Sequence, residues 1–151
     1  MSKDTVPPPL LGALMRLPVD QMHRRIIEGL HQHGYTDLVP AHMAVLRYPG
    51  PRGQRPVELA AEANMSKQAM NYPLGELERL GYVERRADPG DIRSKRVYMT
   101  GRGEAIRKVV RATVRQVERE WARELVADDL EQLRALLVRL QPIVQSGAKR
   151  R

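Results

Sequence analysis

Hydrophobic residues recur every three or four positions over most of this 151-residue chain, which predicts a mainly α-helical protein. The first such pattern begins at Leu10 and ends at Gly34, and Pro18 lies inside it, where we expect a break or a kink. Shorter helices are predicted over residues 40–48 and 56–63. The second of them starts with a proline, which suits the first turn of a helix.

Three further helical patterns follow. One runs from Ser66, whose hydroxyl can cap the first turn, to Gly81, which can end the helix. The next begins after Gly103. Its apolar stripe consists of Ile106, Val109, Val110, Thr113, Val117, Trp121 and Leu125. The last begins at Asp128, which stands at capping-box spacing from Glu131. Its apolar face consists of Leu130, Leu133, Leu136, Leu137, Leu140 and Val144.

The two C-terminal helices carry long apolar stripes. The first, from about residue 104 to 126, would measure roughly 35 Å at about 1.5 Å per residue. Its stripe, together with those of the last helix and the N-terminal helix, offers more surface than the short central helices can bury. A second copy of the chain is the natural partner, so we expect a homodimer.

A different pattern, typical of a β-hairpin, separates the central helices from the long ones. Valine, tyrosine and methionine occur in the flanking segments 82–86 and 96–100, and the intervening DPGD sequence suits a type II turn. In such a turn proline presets φ at the second position and glycine accepts positive φ at the third. The cations around this turn are Arg85, Arg86, Arg93, Lys95 and Arg96. Only two carboxylates oppose them within residues 85–100, so an anionic partner is expected.

The whole chain is basic, with a formal net charge of +8. Nucleic acid is the commonest partner of such a chain and an anionic membrane surface is the next, and charge alone does not choose between them.

The absence of cysteine excludes disulfides, thiolate metal sites and thiol-based sensing. No apolar run approaches the roughly 18 residues that span a bilayer, and no signal-peptide cleavage site follows the N-terminal apolar run. We therefore expect a cytoplasmic protein without a membrane segment.

Two other kinds of site are not favoured. His31 and His33 have Glu28 and Asp37 near them in sequence, a combination found in zinc sites, but a surface or interface role is the preferred interpretation, and no metal is expected. The chain offers no nucleophile beside a base, no glycine elbow and no phosphate-binding loop. An enzyme is therefore not expected, and neither is a cofactor.

Residues 56–100 follow the order of a winged helix-turn-helix: two short helices and then a hairpin, the wing. Core spacing on the second helix leaves four hydrogen-bonding side chains pointing outward near its N-terminal half: Lys67, Gln68, Asn71 and Tyr72. Asparagine and glutamine can pair with adenine in the major groove, and lysine can reach guanine or phosphate. The capped helix N-terminus also favours a phosphate. The wing beside it can carry an arginine to the adjacent minor groove.

This segment resembles the multiple-antibiotic-resistance regulator (MarR) family of bacterial transcription factors over residues 59–103. The most specific part is DPGDIRSKRVYMTGRG, in which the family has Asp-Pro, any residue, Asp, any residue and Arg, followed by Val, any residue, a hydrophobic residue, Thr, two of any kind and Gly. The matching residues are Asp88, Pro89, Asp91, Arg93, Val97, Met99, Thr100 and Gly103.

The resemblance implies particular roles for residues of this chain. Arg93 would insert into the minor groove, while Asp88 and Asp91 would shape the wing. The remaining predicted DNA-binding residues are Ser66, Lys67, Gln68, Asn71 and Tyr72 on the recognition helix and Lys95 and Arg96 on the wing. The resemblance also implies a dimer whose interface is built by the two long C-terminal helices. It allows for a small-molecule effector, whose identity nothing in the sequence indicates.

The predicted fold class is mainly α with a small β-hairpin wing, a winged helix-turn-helix joined to a helical dimerisation region. A flexible arm is expected over 1–9, the dimerisation region over 10–35 and 101–145, the DNA-binding lobe over 36–100 and a basic tail over 146–151. The predicted function is that of a sequence-specific transcriptional regulator that binds double-stranded DNA as a homodimer on a pseudo-palindromic operator. Repression is the favoured mode because it is the commonest in the family.

Two other functions stay open at this point. A nucleoid-type protein without base preference, suggested by the net charge and the basic tail, would bind any duplex equally, with a steep dependence on salt. A protein-interaction module built on the same fold would not bind duplex DNA at moderate salt.

Pro73 departs from the family pattern, which has an aliphatic core residue at this position. A proline inside a helix loses one backbone hydrogen bond and costs about 3 kcal/mol unless a kink absorbs it. The pitch of the recognition helix, and hence the set of side chains that reach bases, therefore depends on how the chain accommodates Pro73.

Overall fold

The computed structural model describes residues 8–47 and 49–148 and confirms the predicted fold class. The described residues form two compact units, one ending at Thr113 and the other beginning at Val114. The elements are α1 (Leu11–Gln32), a 3₁₀ turn (Pro40–His42), α2 (Met43–Leu46), α3 (Pro56–Glu62), α4 (Lys67–Arg79), β1 (Val83–Asp88), β2 (Asp91–Met99), α5 (Gly101–Glu124) and α6 (Asp129–Ala148). Most of the predicted arm and the last three residues of the predicted tail lie outside the described residues.

Helix α1 continues through Pro18, so of the expected break or kink the break does not occur. Proline removes only one backbone hydrogen bond, the one that Leu14 would accept, and the helix is exposed around Leu14. Water can therefore satisfy the freed carbonyl oxygen, and the helix need not end.

The turn between α3 and α4 is a Schellman motif. The Asn64 N–H donates to the Ala61 carbonyl at 3.2 Å, and the Met65 N–H donates to the Ala60 carbonyl at 2.8 Å. Asn64 adopts the left-handed φ of 53° that this motif requires. The tight turn lets the two helices cross directly, and Leu59 on α3 is completely buried. The fully buried side chains of α4 are Met70, Leu74 and Leu77.

Strands β1 and β2 pair antiparallel, with Val83 opposite Met99. The predicted type II turn is wrong, because Gly90 does not have the positive φ that such a turn needs at its third position. Instead the Asp88 side chain accepts a hydrogen bond from the Gly90 N–H at 3.0 Å, which closes an Asx turn. The side-chain hydrogen bond thus determines the conformation of the turn.

The connection from β2 to α5 is fixed by Thr100. Its Oγ1 accepts a hydrogen bond from the Gly103 N–H at 3.1 Å, which caps α5, and donates one to the Gly81 carbonyl at 2.6 Å. The Thr100 N–H also donates to the Tyr82 carbonyl at 3.1 Å. The threonine of the sequence motif therefore joins both ends of the hairpin to the start of α5.

The second unit comprises the C-terminal part of α5 and α6. Arg134 on α6 pairs with Glu118 on α5 at 3.1 Å. Helix α6 begins after Asp128, whose φ of 69° is not the extended backbone of an ordinary N-cap. Exposed apolar side chains of this unit are Leu125, Val126, Leu133, Leu136, Leu137, Val138, Ile143 and Val144. No helix in the described part of the chain has the length and apolar character needed to cross a membrane.

Candidate nucleic-acid interface

Helix α4 begins as predicted. Its N-cap, Ser66, has extended backbone, and its hydroxyl accepts a hydrogen bond from the Ala69 N–H at 3.0 Å. The helix continues through Pro73, which is buried. Because proline has no N–H, the Ala69 carbonyl receives no hydrogen bond from residue 73, as it would in a regular helix.

One face at the start of α4 is exposed to solvent. The exposed residues include all five that the sequence predicts at this helix: Ser66, Lys67, Gln68, Asn71 and Tyr72. Tyr72 is 72% exposed, which is unusual for a large aromatic side chain. The first turn contains no acidic residue, so the positive end of the helix dipole is not neutralised by a side chain of that turn.

The outer part of the wing presents Arg93 and Lys95, which are both exposed. Neither forms an ion pair with any residue that the structure describes. The Arg93 N–H donates to the Asp91 Oδ1 at 3.0 Å, so Asp91 orders the backbone next to this arginine. The two charges therefore point into solvent from an ordered backbone.

Two other cations of the hairpin are engaged within the fold. Arg85 pairs with Glu78 of α4 at 3.2 Å. Arg86 pairs with Glu84, and its guanidinium lies 4.8 Å from the ring centre of Tyr98. These contacts reduce the charge that both arginines offer to a partner.

Arg96 lies against the base of the wing. Its Nη1 donates to the Gly53 carbonyl at 2.9 Å, and its Nε lies 3.2 Å from Asp88. Only 25% of its side chain is exposed. The structure thus places Arg96 apart from the outward-facing Arg93 and Lys95, although the sequence groups the three together.

The central residue of the wing is Asp88, which is 3% exposed. Its Oδ2 accepts a hydrogen bond from the Arg55 Nε at 2.7 Å. The hydrogen bond from the Gly90 N–H, followed by the contact with the Arg55 guanidinium, lowers the pKa of Asp88 to about 2. Asp88 is therefore ionised at neutral pH, and it ties the tip of the hairpin to the residue before α3. Arg55 is not among the residues that the sequence predicts.

A short third strand segment supports the wing. The N–H of Gln54 donates to the Val97 carbonyl at 3.1 Å, and the Val97 N–H donates to the Gln54 carbonyl at 2.8 Å. Gly53, which precedes it, has a φ of 63° and lies against the Tyr98 ring. The base of the wing is therefore hydrogen bonded on both sides of β2, which fixes its position relative to α3.

A hydrogen-bonded cluster around the buried Tyr82 joins the start of the wing to α5. The Tyr82 hydroxyl donates to Asp37 at 2.6 Å, and Arg102 donates to the other carboxylate oxygen at 2.9 Å. The Arg102 guanidinium lies 4.4 Å from the ring centre of Tyr82, and burial raises the pKa of the tyrosine. None of these three is predicted from the sequence, because their contacts join residues far apart in the chain.

The histidines take part in hydrogen bonds of the fold. His23 bonds the Arg47 guanidinium, and His42 accepts from the Val39 N–H. His31 bonds the Leu38 carbonyl oxygen, and His33 bonds the Gly29 carbonyl oxygen. Burial lowers the pKa of His42. Within the described ranges, no three histidine or carboxylate side chains lie together as a metal site would require.

A groove of about 460 Å³ lies between α1, α2 and α4. Its walls are mainly apolar and include Met43, Met65 and the α4 residues Tyr72 and Pro73. Its polar lining comes from His23 and Arg47, whose guanidinium donates to the His23 Nε2 at 3.0 Å. The groove therefore combines apolar surface with a cation, and Tyr72 belongs both to this groove and to the exposed face of α4.

Comparison with known proteins gives a consistent result. Residues 36–94 match the MarR family model. The wild-type MarR of E. coli, in its apo form, is 27% identical over 89% of this chain and 98% of its own, with a TM-score of 0.71. The M. tuberculosis MarR family protein RV2887, in complex with p-aminosalicylic acid, is 28% identical over 88% of this chain and 99% of its own, with a TM-score of 0.65. The motif, the fold and these matches agree in supporting membership of the MarR family of transcription regulators.

Proposed function

We propose that the protein is a sequence-specific transcriptional regulator that binds double-stranded DNA as a homodimer. One observation carries this proposal. The exposed, capped N-terminal turn of α4 belongs to one compact unit with Arg93 and Lys95, which have no ion-pair partner among the described residues, and Asp88 and Gln54 hold the wing in place within it. A helix N-terminus and a basic hairpin held together in this way are suited to two neighbouring grooves of a duplex.

In the major groove, α4 would present Lys67, Gln68 and Asn71 to base edges. Bidentate pairing of an asparagine or glutamine amide with adenine reads sequence, whereas Lys67 reaches either guanine or a phosphate. The N–H groups that follow Ser66 would bind a phosphate at the helix N-terminus. Tyr72 would contribute its ring to contacts with the backbone sugars.

In the minor groove, the wing would insert Arg93, with Lys95 on the adjoining phosphates. We assign Arg96 to support of the wing and not to direct DNA contact, because its guanidinium is occupied by Gly53 and Asp88. Asp88 and Asp91 shape the hairpin from which Arg93 extends.

The exposed apolar surface supports a homodimer. In the first unit, Leu11, Leu14 and Leu17 of α1 are more than half exposed, and in the second unit Ile143 is 68% exposed. Covering such surfaces with a second copy would remove them from water. The two copies would place their α4 helices in successive major grooves about 10 base pairs apart. Occupation of a promoter by this dimer would block polymerase, so we propose repression as the mode of action.

Replacement of Arg93 by alanine tests the function. It should weaken binding to a specific duplex by about 1 to 3 kcal/mol. The slope of log affinity against log salt should become shallower by about one, because one counterion fewer is released. Arg79→Ala, which removes the same charge from the other end of α4, serves as a control and should have a smaller effect. Fluorescence anisotropy measures both affinities, and circular dichroism checks the fold. Equal affinities of wild type and Arg93→Ala would refute the wing's role.

We further propose that the groove beside α4 binds a small effector. The M. tuberculosis protein RV2887, to which this chain is similar, has been crystallised with p-aminosalicylic acid and with salicylic acid. An aromatic acid would suit the apolar walls here, with its carboxylate at Arg47. Because Tyr72 and Pro73 line the groove, a ligand there would favour some positions of α4 over others, and duplex affinity would change by population shift.

Calorimetric titration with salicylic acid tests the effector site. We expect one binding site per chain, and we expect Ala44→Trp to abolish it, because Ala44 lines the groove and the indole would fill it. Ala61→Trp, at an exposed position of α3 that does not line the groove, should bind like wild type. Binding that survives Ala44→Trp, or no binding by the wild type, would contradict the assignment for this ligand class.

A further inference from the structure

The tip of the wing carries an exposed apolar side chain. Ile92 is 87% exposed, the highest value of any large hydrophobic side chain among the residues that the structure describes. It lies on β2 between Asp91 and Arg93. The sequence motif accepts any residue at this position, so the motif gives Ile92 no role.

The backbone around Ile92 is ordered by side-chain hydrogen bonds. Asp91 accepts from the Arg93 N–H at 3.0 Å, and the Ser94 hydroxyl donates to the Asp91 carbonyl at 3.1 Å. Asp88 anchors the turn that precedes them. Ile92 is therefore presented to solvent from a defined position, where it gains nothing from burial within the chain's own core.

The surrounding charge indicates which partner covers Ile92. Arg93 and Lys95 follow it on the same strand, and neither has an ion-pair partner within the described residues. An anionic surface with apolar patches fits this mixture, and a DNA minor groove provides both features, the negative potential from its phosphates and the apolar edges from its deoxyriboses. Successive residues of a strand point to opposite faces, and the minor groove is only about 6 Å wide. A hairpin tip that places Arg93 toward one wall thus turns Ile92 toward the other.

We propose that Ile92 is a DNA-contact residue that packs against the sugar wall of the minor groove opposite Arg93. This inference rests on the proposed DNA-binding function. The contact is apolar and releases no counterions, whereas the contact of Arg93 does. Ile92 therefore contributes to affinity without contributing to its dependence on salt, and the two neighbouring residues can be distinguished by one experiment.

Titration of a fluorescent specific duplex at several salt concentrations tests the proposal. Ile92→Ala should weaken binding about three- to tenfold at every salt concentration, as expected for partial loss of an aliphatic contact. The slope of log affinity against log salt should stay at the wild-type value. Ile92→Leu should retain near-wild-type affinity. Val39→Ala, which shortens another exposed apolar side chain in the same unit, is the matched control and should bind like wild type.

Three results would overturn the inference. The first is a duplex affinity of Ile92→Ala within twofold of wild type. The second is a loss of affinity together with the reduced salt slope expected of Arg93→Ala, because this would show that the substitution displaces the arginine. The third is a changed sedimentation coefficient of Ile92→Ala without DNA, which would assign Ile92 to a contact between chains. If the wild type itself binds no duplex, the proposed function fails, and this outcome is distinct from the other three.

Discussion

Gly103→Ala should lower the free energy of unfolding by roughly 3 kcal/mol. A Cβ atom at this position would overlap the backbone carbonyl oxygen of Tyr82 and would lie 2.8 Å from the terminal methyl group of Met99. The methionine can move, but the carbonyl cannot, because the Tyr82 side chain is completely buried and hydrogen bonded to Asp37. The first turn of α5 would have to move away from the start of the wing.

The same helix offers a matched control. An added Cβ at Gly101 would meet no atom within 4 Å, so Gly101→Ala should be neutral or slightly stabilising, by up to about 1 kcal/mol. Urea unfolding followed by circular dichroism measures both variants. Equal stabilities of Gly103→Ala and Gly101→Ala would show that the close approach of α5 to the wing does not exist.

Leu136→Glu should dissociate the proposed dimer and weaken binding to a palindromic duplex about a hundredfold or more. Leu136 lies on α6 and is 59% exposed, among several other exposed apolar residues of the second unit. A buried carboxylate without a partner at a chain–chain interface would oppose association. Loss of the second DNA-binding lobe would remove the gain in affinity that comes from linking two half-site contacts, which ranges from about 10² to 10⁴.

Gln141→Glu provides the control for charge. It adds a carboxylate to an exposed polar position of the same helix and should leave both the dimer and the duplex affinity near wild type. Analytical ultracentrifugation measures the oligomeric state, and anisotropy measures affinity for one half-site and for the full palindrome. A Leu136→Glu protein that stays dimeric, or a monomer that binds the palindrome as tightly as the wild type, would contradict the proposed arrangement.

Local patterns predicted the elements that depend on local interactions. Ser66 was expected to cap α4 because the hydroxyl needs only the N–H groups of the next turn, and the cap is formed. The exposure of Lys67, Gln68 and Asn71 follows from helical periodicity around the buried Met70. These features require no knowledge of the rest of the fold.

The errors have physical causes of their own. Helix propensity predicts a break or a kink at Pro18, but the carbonyl that proline leaves free lies in an exposed part of α1, and the helix does not break. The type II turn was expected from the order of proline and glycine in DPGD, but the Asp88 carboxylate bonds the Gly90 N–H and determines the turn instead. In the first case exposure of the freed carbonyl removed the reason for a break, and in the second a side-chain hydrogen bond decided the conformation.

The support of the wing could not be predicted, because it depends on contacts that are distant in sequence. Arg55 and Asp88 are separated by 33 positions, and Asp37 and Tyr82 by 45. A cation before a helix or a tyrosine before a strand carries no signal of such a partner. The five cations around the turn look equivalent in sequence, and only the fold distinguishes Arg96, which holds the base of the wing, from Arg93 and Lys95.

Sequence-specific binding of the protein to duplex DNA is tested most directly by selection of duplexes from a random pool, followed by titration of the selected duplex. A random duplex pool would be enriched on the purified wild-type protein, and the most enriched duplex would be titrated by anisotropy beside a shuffled duplex of equal composition at two salt concentrations. We predict a palindromic consensus with half-sites about 10 base pairs apart and a preference of roughly a thousandfold or more over the shuffled duplex. Equal, steeply salt-dependent affinity for both duplexes would contradict the claim and would identify a nucleoid-type DNA-binding protein.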